Sequence, residues 1–311
     1  MIEDIICIVG PTASGKTGLG IELAKKIDAE IISADSMQIY KNLNVGTAKV
    51  TKEEAMGIPH HLIDICDIED SFSVADFKNM CYEKIEEIRK RGKNVIIVGG
   101  TGLYVSSVVY DMHFGEENID FQLRRKLEIL AKEKSNEYVH DILKKIDPES
   151  ANSIHPNNLK RVIRAIEIAK NTGNLKSKHM ENEKRRIEEE ESRKYKFSVF
   201  FIDFDRDKLY QRINCRVDTM VKGGVLEEAK LLYDMNLPKD NTCIQAIGYK
   251  EFFPYFDGKS SLEECIENLK KSTRNYAKRQ ITWFKNKLKP YFLNGNSTRE
   301  EMIETIIKNV D

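Results

Sequence analysis

No charge of either sign predominates in this sequence. Lysine plus arginine and aspartate plus glutamate number 50 each, so net charge gives no case for a polyanionic partner, and any nucleic-acid surface must come from local clusters. The six cysteines form no C-x-x-C pair, and Cys7 sits inside an apolar run; this is the pattern of a reduced, cytoplasmic chain in which cysteines fill space. Long hydrophobic runs are also lacking. Met1-Ile2-Glu3-Asp4 has no basic n-region, and the apolar run that follows covers only residues 5–9 before Gly10 and Pro11, so neither a signal peptide nor a membrane span is expected. No repeat of fixed period occurs, and residues 111–196 carry no strand pattern. What the sequence does have is 41% hydrophobic residues in a chain of 311, enough for a well-buried core in one large domain or two modest ones.

Residues 5–9 read as a buried strand, followed by a glycine-bearing turn, a helix over 16–27 and a second apolar strand over 30–33, which together make a βαβ unit. Ser73 with Asp76 forms a capping box for a helix running to about residue 91, Gly92 ends it, and the strand 95–98 enters Gly99-Gly100-Thr101-Gly102. A further strand over 197–204 ends in Asp205 as an N-cap. Strands alternating with helices predict an α/β fold with a mainly parallel sheet covered on both faces. Residues 113–196 read as a helical insertion, with helices over 121–134, 136–145 and 157–171, into a core formed by 1–112 and 197–311. Within it, 181–196 is almost entirely charged, including Glu188 to Glu191, as in a solvated helix or connector. The C-terminal third reads as helical, with a long amphipathic segment over 262–289.

Gly10-Pro11-Thr12-Ala13-Ser14-Gly15-Lys16-Thr17 matches G-x-x-x-x-G-K-[ST] in full and lies between the first strand and first helix, where a P-loop must lie. Its glycines let backbone N–H groups converge on phosphate oxygens, Lys16 adds a full positive charge, and the Thr17 hydroxyl can ligate Mg²⁺. A nucleotide-hydrolysing site needs a further acid, yet the strand 95–98 runs into Gly99-Gly100-Thr101-Gly102 with no Walker-B carboxylate. The glycines there permit close backbone approach, and Thr101 can donate to a phosphate or bridging oxygen. Asp35, in Ser33-Ala34-Asp35-Ser36-Met37-Gln38, follows the second strand and is expected at the carboxyl edge of the sheet, beside the phosphates. It can take a proton from a nucleophile, help to organise Mg²⁺, or cap the following turn. A P-loop with such an acid also describes a small-molecule or nucleoside kinase. A non-catalytic RNA-binding module is a second alternative, which leaves the P-loop and Asp35 unexplained. His60 and His61, adjacent in an extended segment, point to opposite sides and favour a structural role over metal binding.

Taken in order, GPTASGKT (10–17), DSMQIYKNLNVGTAK (35–49), PHHLID (59–64), GGTGLY (99–104), HPNNLKRVIRAIE (155–167), RVDTM (216–220), QAIGYKE (245–251) and YAKRQITWF (276–284) resemble the tRNA dimethylallyltransferases, also called tRNA isopentenyltransferases. The resemblance spans nearly the whole chain. It implies a P-loop NTPase-like α/β fold with a helical insertion domain, and a P-loop that holds the diphosphate of dimethylallyl diphosphate through Gly10 to Thr17, with Mg²⁺ at Thr17. The prenyl group would pass to N6 of the adenosine just 3′ of the anticodon. Lys16, Thr17, Thr101 and Arg216 would then neutralise the departing diphosphate, with Asp35 as general base. It also implies tRNA contacts at Asp35, Ser36, Met37 and Gln38, the last pairing with the flipped-out adenine, and at Gln245 and Gly248. In the insertion the contacts fall on Arg124, Lys160, Arg161, Val162, Ile163 and Arg164, and on the long C-terminal helix on Lys278, Arg279 and Gln280. Lys160 and Arg161 each fall within one turn of Arg164, Arg125 stands beside Arg124, and Arg274, Lys278 and Lys285 lie close to one stripe; Tyr276, Gln280 and Trp283 form a neighbouring, partly apolar one. After Thr172-Gly173 the sequence departs from the family pattern: Asn174-Leu175-Lys176-Ser177 stands where a proline-containing run is usual. A monomer acting on a tRNA anticodon stem-loop is expected.

Overall fold

The computed structural model describes residues 2–114, 120–172, 194–238 and 241–310. The departure at 174–177 and nearly all of the charged run 181–196 lie outside the described residues. The chain divides into two compact units, one made of Met1–Val109 with Lys194–Asp311 and the other of Tyr110–Arg193.

The first unit is built on a six-stranded sheet. Short runs rich in isoleucine, valine and phenylalanine supply its central strands: β1 (Ile5–Val9), β4 (Asn94–Gly99) and β5 (Phe197–Asp203), joined by β2 (Ala29–Ser33), β3 (His60–His61) and β6 (Tyr291–Asn294). Strand order is β3-β2-β4-β1-β5-β6, and every pairing is parallel. Such a sheet must be covered on both faces, and alternation along β1 shows how. Ile6 and Ile8 enter a core with Leu19 and Leu23 of α1 (Lys16–Ile27) and Ile303 and Ile306 of the last helix. Cys7, pointing the other way, meets α3 (Val74–Lys90): burial, and then Cys81 of that helix, push the Cys7 thiol well up. Ser73 caps α3 through its capping box with Asp76, and Asp205 caps α9 (Arg206–Lys222), as the sequence predicts.

The register aligns the ends of the strands. Val9 pairs with Gly99 and Ser33 with Val98, so the segments leaving β1, β2 and β4 emerge together at one edge. The first part of this unit also carries the short helices α2 (Lys52–Ala55) and α4 (Gly102–Val109). After α9 come α10 (Val225–Asp234), α11 (Phe253–Phe256), α12 (Leu262–Lys287) and α13 (Arg299–Lys308). The wholly helical expectation for the C-terminal third is therefore corrected by β6, which adds a parallel edge strand beside β5 between α12 and α13.

The second unit contains α5 (Phe121–Glu133), α6 (Asn136–Ile146), α7 (Pro148–Ser153) and α8 (Leu159–Thr172). Leu127, Val139, Leu143, Val162, Ile163 and Ile166 form its core. The helix expected from residue 157 begins at Leu159, and α7, too short to show a periodic face, precedes it. In neither unit does a described helix have the length and apolarity to cross a membrane.

Candidate active site

The segment after β1 closes into a tight, concave loop because its backbone visits conformations most residues avoid. Ala13 has φ 63° and Gly15 φ 86°, which turns the chain sharply into α1. Lys16 folds back on the loop, its Nζ donating to the Pro11 carbonyl at 3.3 Å. Beside it lies a cavity of about 380 Å³ lined by Ala13, Gly15, Lys16, Thr17, Arg212, Cys215 and Arg216. Three of these residues are cationic and none is acidic, which suits an anion. Arg216 and Arg212 sit one turn apart on α9. Arg212 Nε donates to the Ala13 carbonyl at 2.8 Å, bracing the loop, while Arg216 Nε is buried with no protein partner.

Burial, followed by the Arg216 charge, lowers the Lys16 pKa to about 8, with Asp35 pulling the other way. Burial likewise lowers Arg216, and Asp35 opposes it. Asp35, on the segment after β2, is thus close enough to act electrostatically on both cations, and its own Oδ1 accepts from Met37 N at 2.9 Å. The capping bond and the place beside the cations coexist.

The turn after β4 is stitched to the Asp35 segment. Thr101 Oγ1 accepts from Ser36 N at 2.9 Å, and Thr101 N donates to the Ala34 carbonyl at 3.1 Å. The approach requires glycine: a Cβ on Gly99 would lie 2.2 Å from the Ala34 carbonyl oxygen. The segments leaving β1, β2 and β4, with helix α9, therefore bring Lys16, Thr17, Asp35, Thr101 and Arg216 together, and the structure adds Arg212 and Cys215. Arg212 carried a legible signal, since it stands four residues before Arg216 and so shares its helix face.

The family profile described as IPP transferase matches residues 38–287. The chain belongs to the IPP transferase family. It is 50% identical over 286 residues to the tRNA dimethylallyltransferase of Bacillus subtilis (strain 168), covering 92% of this chain and 89% of that protein. It is 47% identical to that of Acetivibrio thermocellus, with 99% and 96% covered. Among solved structures, a tRNA isopentenylpyrophosphate transferase from Bacillus halodurans superposes with a TM-score of 0.72 at 44% identity, over 98% of this chain and 95% of that one. A eukaryotic dimethylallyltransferase acting on tRNA superposes with a TM-score of 0.81 at 32% identity, over 99% and 80%.

Residues that the family pattern assigns to RNA divide sharply by environment. Lys160, Arg161, Lys278, Arg279 and Gln245 are exposed. Val162 and Ile163 are 0% and 4% exposed, and their side chains pack in the core of the second unit. Arg124 and Arg164 both pair with Glu167, which is 1% exposed and also accepts from Asp120 N; they pin α5 to α8. Gly248, buried at φ 114°, has its N–H bonded to Glu251 and faces the Gly46 carbonyl. Gln38 uses both amide hydrogens on the Thr47 and Ala48 carbonyls and accepts from Ser33 Oγ, so it shapes its own loop. Gln280 is 5% exposed and bonded to the backbone of Thr12 and Gly100. On α12, Arg274 bonds Asn214 and Lys285 pairs with Asp203.

The same loop region holds a carboxylate that sequence reasoning missed. Glu228 of α10 accepts from Asn44, Val45 and Gly46 N at 2.8 to 3.1 Å and from the buried Tyr249 hydroxyl at 3.0 Å. His60 and His61 are structural: His61 bonds Glu30, and His60 bonds the Ile58 carbonyl.

Proposed function

We infer that this chain carries out the reaction of its family, transfer of a dimethylallyl group from dimethylallyl diphosphate to N6 of the tRNA adenosine next to the anticodon. The observation that supports the reading is that Asp35 acts electrostatically on Lys16 and Arg216, two of the cations lining the cavity. Lys16 and Arg216 neutralise the diphosphate as the allylic C–O bond breaks and its electrons pass to the leaving oxygen. N6 forms the new C–N bond, and Asp35 accepts the N6 proton, a contribution of about 10²- to 10⁴-fold. Thr101 is held beside the base, its Oγ1 accepting from Ser36 N.

Mg²⁺ fits the donors present. Thr17 offers a hard hydroxyl oxygen in the cavity lining, and among the described residues no cluster of three histidine, cysteine or acidic side chains forms a protein cage. An ion here would be held chiefly by Thr17 and by diphosphate oxygens, and would add positive charge at the leaving group. The exposed Lys160, Arg161, Lys278 and Arg279 supply phosphate contacts to the anticodon stem-loop.

Purified protein incubated with Mg²⁺, an unmodified anticodon stem-loop and radiolabelled dimethylallyl diphosphate tests the reading, with labelled ATP in parallel. Label enters RNA from the prenyl donor alone and requires the target adenosine. Transfer of phosphate from ATP to a small acceptor, with unlabelled RNA, would identify a kinase instead. Asp35→Ala should abolish most turnover while leaving stem-loop affinity nearly intact; equal losses in both would remove Asp35 from the role of base.

A further inference from the structure

Helix α12 reaches both phosphate-side loops through one buried amide. Gln280 Oε1 accepts from Thr12 N at 2.8 Å, and its Nε2 donates to the Gly100 carbonyl at 2.9 Å. Thr12 belongs to the loop after β1 and Gly100 to the turn after β4, so a single side chain spans the loop that cradles the anion and the turn that carries Thr101. One turn earlier on the same helix, Tyr276 lies close enough to Gln280 and Thr101 for both side chains to act on its hydroxyl. Thr101 in turn holds Ser36, next to Asp35. One turn later, Trp283 donates to Ser106 Oγ at 3.0 Å, and a Cβ on Gly102 would lie 2.3 Å from its ring. The stripe Tyr276, Gln280 and Trp283 is therefore the docking face of α12 on this turn.

The fit leaves no slack around the amide: a Cβ on Gly100 would stand 2.3 Å from Gln280 Nε2. A buried amide whose oxygen and nitrogen serve two separate loops fixes the distance between them, because leaving either backbone group unpaired is costly. Each substrate can bind to one side of this junction without it. Reaction needs both sides in register, since the leaving group is held by one and the base is carried beside the other.

We propose that Gln280 and Tyr276 are positioning residues for the transfer, setting the separation between the diphosphate loop and the turn that orders Thr101 and Asp35. The inference rests on the prenyl-transfer reading above.

The test compares full-length wild type with Gln280→Met, Gln280→Glu and Tyr276→Phe, using dimethylallyl diphosphate and the unmodified stem-loop. Gln280→Met keeps the volume and removes both bonds; kcat should fall about 10- to 100-fold while the Kd for RNA stays within about twofold of wild type. Gln280→Glu keeps the acceptor for Thr12 and loses the donor to Gly100, so it should fall between the two. Tyr276→Phe should lower kcat by a smaller factor with the same unchanged RNA affinity. Turnover within about twofold of wild type in all three variants would overturn the inference, as would a loss confined to RNA affinity, which would make Gln280 an RNA contact. Should Gln280→Met melt below the assay temperature, Tyr276→Phe decides by the same split of kcat from Kd. Wild type that transfers no prenyl group would instead overturn the reading on which the inference stands.

Discussion

Lys16 titrates where an ammonium ordinarily does not, and that has a consequence for ligand binding. Its pKa falls from 10.5 to about 8 through burial first and the neighbouring Arg216 second. A diphosphate entering the cavity places negative charge beside the ammonium and favours its protonated form, so binding above about pH 8 takes up a proton. With the bound lysine titrating near its ordinary value, affinity for dimethylallyl diphosphate should fall about tenfold from about pH 7 to about pH 9. Calorimetry at the higher pH, in two buffers of different ionisation heat, should report uptake of about 0.9 proton. Lys16→Met should bind weakly and show no such dependence. A flat affinity across this range, with heats independent of buffer, would refute the argument. The sign for folding is the reverse. Because the folded-state pKa is the lower one, the unfolded chain binds more protons between about pH 8 and pH 10.5, and this lysine's penalty on stability is relieved as pH rises through that window.

Other outcomes follow from groups outside the cavity. Lys160→Ala with Arg161→Ala should weaken stem-loop binding and flatten its salt dependence by about one unit of slope per lost contact, with turnover at saturating RNA retained; a wild-type slope would remove both from the interface. Glu228→Ala strands three loop N–H groups and the Tyr249 hydroxyl, and should cost about 2–4 kcal/mol in urea unfolding; a midpoint equal to wild type would show that water replaces the carboxylate. Glu167→Gln breaks a buried pairing to Arg124 and Arg164 and should destabilise the second unit by about 3–5 kcal/mol, seen as earlier melting. Although burial raises the Glu167 pKa, its bonds to Arg124 and Arg164 outweigh burial and leave it lowered. Its contribution is therefore present above the ordinary carboxylate range and is lost as pH falls through the lowered value.

The elements that place the site are legible wherever motif and periodicity coincide. The P-loop, Asp35 and the Gly99–Gly100–Thr101 turn each follow an apolar strand, and the parallel order that brings them together is the ordinary consequence of strands alternating with helices. Elements too short to show a period escaped: β3 has two residues, and β6, with four, follows Pro290 at a sheet edge. At Gln280 the family pattern pointed to RNA, but the polar residue lies in one stripe with Tyr276 and Trp283, a spacing that signals a helix face turned inward. Arg124 and Arg164 show a different limit. Their charge was visible, but the acid that satisfies it sits at Glu167, and no local pattern says which of several carboxylates becomes buried.

The glycines that end and follow β4 differ in what their neighbours are made of, and this sets how each position can change over evolutionary time. A side chain on Gly99 would strike the main chain of Ala34, which no substitution can trim. On Gly100 and Gly102 it would strike the side chains of Gln280 and Trp283. An alanine at either of these two positions thus has a possible second-site partner, a smaller residue on α12. A suppressor screen on Gly99→Ala would have nowhere on α12 to look, leaving Gly99 the one fixed point of the turn.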